Sequence, residues 1–321
     1  MHPLRPFIQK YYGHVMNTYI RKELEKRFSE TRQEQSSLQS ASRHAKSVIA
    51  LALEAYHEDN LLKATKLDDH FAKYATYQIR TFLFAGNDTT SSSITYMYHL
   101  LSQHPGAVSR TRQEHDSVFG TDPSAAAGLL RECPALLNKC SYTLAVIKEA
   151  LRLFPPLATM RRGRNGISLT DRHGNSYPTD HMSAVILHQA IHRNPRVWPR
   201  ADEFLPERWL VGVDHELYPN PSAYRPFEQG PRNCIGQTLV YNEIRIVMVM
   251  TLRLFDIKPA YDEWDAMKSS NEGRLKKLIR CAGSCGQAED IKAVHGERAY
   301  QAEKTLMHPA DGYPCRVTLA K

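Results

Sequence analysis

The sequence predicts a mainly α-helical fold that carries small β-sheets. Three observations point there. Residues 67–102 contain no proline and repeat apolar side chains at helical spacing, further helical stretches follow at 107–118, 136–153 and 237–255, and strand-like alternation is confined to 157–190. With 321 residues and 42% hydrophobic content, the chain can bury a sizeable core.

Taken in order, residues 1–66 mix Tyr, Ile, Leu and Phe with many charges, and "YIRKELEKRF" (19–28) has the spacing of an amphipathic helix. They read as helices preceding the long one. "SSLQSAS" (36–42) is a polar loop. The long helix fills 67–104 and stops at "HPG" (104–106); the helix at 136–153 ends at Pro155-Pro156. In 157–190, "ISLTDRHGNSYP" and "SAVILHQ" are short strands with a turn at Gly174-Asn175. A Pro- and Arg-rich irregular stretch covers 192–236, and 237–321 opens with a last helix. There is no internal repeat.

Composition narrows function only a little. Lys+Arg 42 against Asp+Glu 34 gives a net charge of +8, which suits an acidic partner, a membrane surface or nucleic acid without choosing among them. The six cysteines (Cys133, Cys140, Cys234, Cys281, Cys285, Cys315) are irregularly spaced, unlike a disulfide framework. Cys281 and Cys285 could share a helical face, but no nearby His or Cys completes a zinc tetrad. No apolar run reaches the eighteen or so residues needed to span a bilayer, and no basic-then-apolar leader opens the chain as given.

Four constellations carry chemistry. In the long helix, "AGNDTT" (85–90) places Gly86 and several poor helix formers mid-helix. Gly86 lets a flat group approach the backbone, a Thr89 hydroxyl taking the Ala85 carbonyl opens the ladder locally, and Asp88 adds a carboxylate. The alternative is a buried helix with back-bonded Ser and Thr. Glu149 and Arg152, three apart in "EALR", share a helical face; alone they are an exposed ion pair. Arg208 in "PERW" supplies a second guanidinium, which would make Glu149 a carboxylate held between two planar forks. Last, "FEQGPRNCIG" (227–236) fixes Cys234 with Gly230 and Gly236, shields it with Phe227 and brings Arg232 near the sulfur. A thiolate in a dry cationic loop is a metal ligand or a nucleophile. No base can be assigned for a nucleophile and no partners for zinc, whereas one thiolate with arginines fits a haem iron carrying two propionates.

In this order and spacing the motifs resemble the cytochrome P450 superfamily of haem-thiolate monooxygenases. "FEQGPRNCIG" matches the family's F-x-x-G-x-R-x-C-x-G loop at every defined position, "AGNDTT" looks like the oxygen-activating stretch of its I helix, "EALR" like its E-x-x-R, and "PERW" like its P-E-R-F/W segment. The resemblance implies the P450 fold, with haem b held by Cys234 as axial ligand. It implies Asp88 and Thr89 as the proton-delivery pair and Glu149, Arg152 and Arg208 as a structural triad. Arg232 and Arg162 would pair with the propionates, with Arg161 the alternative to Arg162. Phe84, Ala85, Leu157, Ala158, Thr159 and Met160 are the candidate substrate-facing residues, and their apolar mix implies a lipophilic substrate. Electrons would come from NADPH through a cytochrome P450 reductase, with O2 as co-substrate and no nucleic acid.

The sequence texture, "FAGNDTTSSSI" and "GERAYQ…DGYPCRV", resembles fungal members that oxidise lipophilic or secondary metabolites. Residue 1 would fall where the family's F–G region ends, so the chain reads as a C-terminal portion of the domain, 1–321. A full-length parent would sit on the endoplasmic reticulum membrane through an anchor this chain lacks. A haem-thiolate isomerase or dehydratase, or a non-catalytic truncation product, are the other readings; the acid–alcohol pair Asp88-Thr89 argues for the monooxygenase.

Overall fold

The computed structural model describes residues 4–36, 49–53, 56, 66–271, 293–294, 296–303 and 306–320. Cys281, Cys285 and most of the polar stretch at 36–42 lie outside them. The chain divides into two units, residues 1–87 and 88–321.

In the first unit, helix α1 (Arg5–Ser36) places Ile20, Leu24 and Phe28 four residues apart, so that they form one stripe. That stripe is buried in a cluster with Leu53, Tyr56, Leu67, Ala72 and Ala75. Ala72 and Ala75 belong to the long helix α2 (Asp69–Gln103), which begins in this unit and ends in the second. An Arg21–Asp69 ion pair and a 2.9 Å hydrogen bond from Arg80 Nη1 to Asn17 Oδ1 add polar links.

The core of the second unit is built from Tyr96, Met97, Leu100 and Leu101 of α2 together with two later helices. His104 ends α2, and Pro105 starts α3 (Pro105–Phe119), where its missing N–H costs nothing. After α4 (Ala126–Glu132) comes α5 (Ser141–Leu153). The sequence pattern expects that helix to begin at 136. Instead Pro134–Lys139 form a 3-10 turn, and Cys140, at ψ 67°, leaves helical geometry. The start of α5 is fixed from outside: Glu114 of α3 accepts the backbone N–H of Tyr142 at 2.6 Å and of Thr143 at 2.8 Å, satisfying two orphan donors. Val146, Ile147, Ala150 and Leu151 of α5 then meet the α2 side chains in the core.

The strands are short and all pair antiparallel. β1 (Thr159–Arg162) precedes the hairpin of β2 (Ser168–Thr170) and β3 (Ser176–Pro178), whose turn has Gly174 at φ 83°. β4 (Ser183–Ile186) returns to pair with β1. The expected strand "SAVILHQ" is therefore half strand, and its end turns into the short helix α6 (His188–His192). The last long helix, α7 (Gln237–Thr251), adds Ile244 and Met248 to the core. It stops before the 255 that the pattern predicts, because Phe255 begins β5 (Phe255–Pro259). α8 (Tyr261–Asn271), the hairpin of β6 (Gln301–Glu303) and β7 (Met307–Pro309), and β8 (Cys315–Leu319) complete the chain, with β8 paired to β5. A strand whose partner lies about sixty residues away leaves no local signal.

α2 is unbroken through Ala85–Thr90. The poor helix formers there do not end the helix, because one Gly and a few Thr residues cost only about 1 kcal/mol or less each in a helix held by its neighbours.

Candidate functional site

Glu149 lies at the centre of a fully buried polar cluster. Arg152, one helical turn on, donates Nη2 to Glu149 Oε1 at 2.8 Å and Nε to Oε2 at 3.0 Å, a fork-on-carboxylate pair. Arg208 Nε donates to Oε1 at 3.0 Å from the 3-10 turn Pro206–Trp209. The same carboxylate also accepts Leu205 N and Trp209 Nε1, both at 3.0 Å. Glu149, Arg152 and Arg208 are each 0% exposed, so the exposed-pair alternative does not describe them.

The rest of each guanidinium is used on backbone carbonyls. Arg152 reaches His192 O, Ala201 O and Glu203 O at 2.6–2.9 Å, and Arg208 reaches Pro199 O and Arg200 O at 3.3 Å. Trp198, also fully buried, lies within 6 Å of both guanidinium carbons. Burial pulls Arg208 below its ordinary value, against the Glu149 charge that pushes it up. α5 and the irregular chain of 199–209 are thereby tied at one point, with every buried charge paired.

The cysteine loop has its own supports. Cys234 N donates to Phe227 O at 2.8 Å, and the Phe227 ring meets Tyr241 of α7 edge-on at 5.1 Å. Gly230 sits at φ 80°, a conformation that penalises any side chain. A Cβ at Gly236 would meet Sγ at 3.7 Å, an ordinary van der Waals contact. Glu228 adopts φ 59°, and its carboxylate is gripped by Arg225 Nη2 at 2.9 Å and by His188 Nε2 at 2.8 Å. Burial raises this carboxyl, but the hydrogen bonds and charges of Arg225 and His188 outweigh it and hold it at about 2.

The loop presents its thiol at the surface of the chain. Cys234 and Arg232 are exposed, as are Ile235 at 83% and Leu239 at 69%, and no hydrogen bond joins Arg232 to the sulfur. Among the described residues the Arg232 and Arg162 side chains have no ion-pair or hydrogen-bond partner.

In β1 the register puts Met160 opposite Val185 and Arg162 opposite Ser183, so these share one face, while Thr159 and Arg161 lie on the other. Met160 is 65% exposed. Thr159 is instead buried, its hydroxyl 3.3 Å from His188 Nε2. Leu157 and Ala158 are half-buried. On α2, Phe84, Ala85 and Gly86 are exposed, and a Cβ at Gly86 would meet nothing within 4 Å. Asp88 pairs with His308 of β7 at 3.0 Å, and Thr89 is half-buried beside it.

Comparison with known proteins decides the family. The model of the family described as Cytochrome P450 matches residues 1–279. The chain belongs to the cytochrome P450 family. It is 41% identical over 317 residues to the cytochrome P450 monooxygenase polC of Polytolypa hystricis, covering 98% of this chain and 52% of that protein. It is 31% identical over 334 residues to the monooxygenase acrF of Aspergillus aculeatus, covering 99% and 63%. The chain thus spans about half to under two thirds of the length of these relatives. Among solved structures, the cytochrome P450 CYP102L1 superposes with a TM-score of 0.60 at 21% identity, covering 94% of this chain and 56% of that one.

A cytochrome P450 implies a haem whose iron takes a cysteine thiolate. The residues present fit that group. Cys234 offers an accessible thiol between two glycines, Ile235 and Leu239 offer exposed apolar surface beside it in the chain, and Arg232 and Arg162 are cations without partners among the described residues. The P450 motifs did not reveal Arg225, His188, His192, Trp198 or His308. The aromatic and His content of "HRNPRVWPRADEFLPERW" (192–209) was a signal for His192 and Trp198 alone.

Proposed function

We propose that this chain carries the haem-thiolate centre of a fungal monooxygenase that inserts one oxygen atom from O2 into a lipophilic substrate of secondary metabolism. The observation that carries it is the accessible Cys234 thiol on a loop whose backbone is fixed independently of any ligand, through Phe227 O, Gly230 and the clamp on Glu228. When bound, the haem supplies the oxygen activation. Cys234 holds the iron, and Arg232 with Arg162 hold the propionates. Arg162 is favoured over Arg161 because it shares the open face of β1 with Met160.

Asp88 and Thr89 move protons to the site from α2, adjacent residues on one helix of which the acid is anchored and the alcohol half-buried. Glu149, Arg152 and Arg208 keep the loop-bearing region in place. Phe84 and Ala85 of α2 and, separately, Leu157, Ala158, Thr159 and Met160 at β1 are the proposed substrate-facing residues. Electrons come from NADPH through a reductase, whose acidic docking face suits the +8 balance. No described helix is long and apolar enough to cross a membrane; an endoplasmic reticulum setting belongs to the proposal for a longer parent.

The test is spectroscopic. Haem-loaded protein, reduced and treated with CO, should show the red-shifted absorption of a thiolate complex, and Cys234→Ala should abolish it. An unchanged spectrum in Cys234→Ala removes the assignment. Turnover that needs no NADPH would convert the reading to a haem-thiolate isomerase.

A further inference from the structure

The C-terminal hairpin delivers an imidazole to the acid of the long helix. His308 Nε2 lies 3.0 Å from Asp88 Oδ1, with the two side chains 24% and 29% exposed. A carboxylate can only accept, so Nε2 is the donor. Three bonds that do not involve the imidazole fix its position. Ser92, one turn after Asp88, donates Oγ to Met307 O at 2.5 Å; Met307 N donates to Pro156 O at 3.0 Å; and Gln301 Nε2 donates to Pro155 O at 2.9 Å. The hairpin is therefore clamped to both α2 and the double proline immediately before His308, and the register sets small Ala302 opposite the imidazole. Among the described residues no other side chain capable of positive charge pairs with Asp88.

We infer that His308 is a positioning residue for Asp88. By holding Oδ1 it stops rotation of the carboxylate and leaves Oδ2 as the oxygen that exchanges protons, which makes the β6–β7 hairpin a working part of the proton path. A carboxylate without this donor samples several rotamers, and proton delivery loses the fixed geometry it depends on. The inference rests on Asp88 and Thr89 being the proton-delivery pair of a haem-thiolate centre.

Two measurements on the haem-loaded protein test it. In the first, parent, His308→Ala, His308→Gln, Asp88→Asn and Asp88→Asn/His308→Ala proteins are supplied with NADPH and reductase, and peroxide released per NADPH consumed is measured. His308→Ala should raise that ratio at least twofold. His308→Gln, whose amide N–H can still donate, should return it towards the parent. The double variant should be no worse than Asp88→Asn alone. In the second, the protein is labelled with 15N-histidine and observed in its diamagnetic reduced CO complex, with the His308 resonance assigned by its loss in His308→Gln. Asp88→Asn should shift that resonance, and Ser92→Ala should shift it far less. Unmoved peroxide ratios, additive losses in the double variant, or an unshifted resonance each overturn the positioning role. If the parent shows no thiolate CO complex, the monooxygenase reading itself fails and takes this inference with it; a correct CO spectrum with unmoved ratios sinks only the role of His308.

Discussion

The backbone N–H of Arg225 donates to His192 Nε2 at 2.9 Å, and this bond joins the buried charge cluster to the cysteine loop. Because Nε2 accepts, Nδ1 carries the proton and donates to Arg152 O at 3.1 Å. From Arg225 the link continues through Glu228 to His188, whose Nδ1 meets Leu157 O at 3.0 Å. One neutral imidazole thus sits between the Glu149 cluster and the backbone that presents Cys234.

Acid should weaken the fold through this residue. Burial drives His192 from 6.5 down to about 3, and burial likewise takes His115 down to about 4. As pH falls below 6.5 the unfolded chain binds protons that the folded chain refuses, so stability is full above that pH and is lost progressively towards the folded values. Urea unfolding midpoints at pH 7 and pH 4.5 should differ by less in His192→Gln, which keeps an acceptor for Arg225 but does not titrate. Equal pH slopes in the two proteins would contradict this.

Glu149, Arg152 and Arg208 should fail as a unit. Removing Glu149 leaves two buried guanidiniums without their counter-ion, and removing Arg208 strips the buried carboxylate of one donor and the Pro199 and Arg200 carbonyls of theirs, each a loss of about 3–5 kcal/mol. Glu149→Gln and Arg208→Ala should each cost that much in denaturant unfolding, and the double variant should cost much less than the sum. Additive losses would mean that the two residues act separately.

Gly163 is predicted to tolerate no side chain. A Cβ there would lie 1.9 Å from Thr179 O and 2.7 Å from Thr179 Cβ, so the backbone leading out of β1 must move. Gly163→Ala should destabilise by about 3 kcal/mol. Gly128→Ala, in α4 with nothing within 4 Å, should instead stabilise by about 0.5–1 kcal/mol. Thermal midpoints of the two variants should move in opposite directions.

Thr89→Ala should keep the thiolate CO spectrum and raise peroxide per NADPH severalfold, since the proposed duty of the hydroxyl is to manage protons and not to hold the cofactor. An unchanged ratio would reduce Thr89 to an ordinary helix residue.

The sequence alone determined the helical class, the position of the long helix and the order of the motifs. Helical periodicity and the punctuation at Pro105 and Pro155-Pro156 are local signals, and "FEQGPRNCIG" is a contiguous loop whose glycines state their own backbone needs. Where an element depended on a distant partner, the sequence was silent. α5 begins at Ser141 because Glu114 caps it from another helix, and α7 stops because Phe255–Pro259 pairs with Cys315–Leu319. Only tertiary structure could place Glu149 at zero exposure among five donors, seat His192 between Arg152 and Arg225, and bring His308 to Asp88 across 220 residues. Burial and long-range hydrogen bonding follow from how elements pack, and no spacing along the chain encodes them.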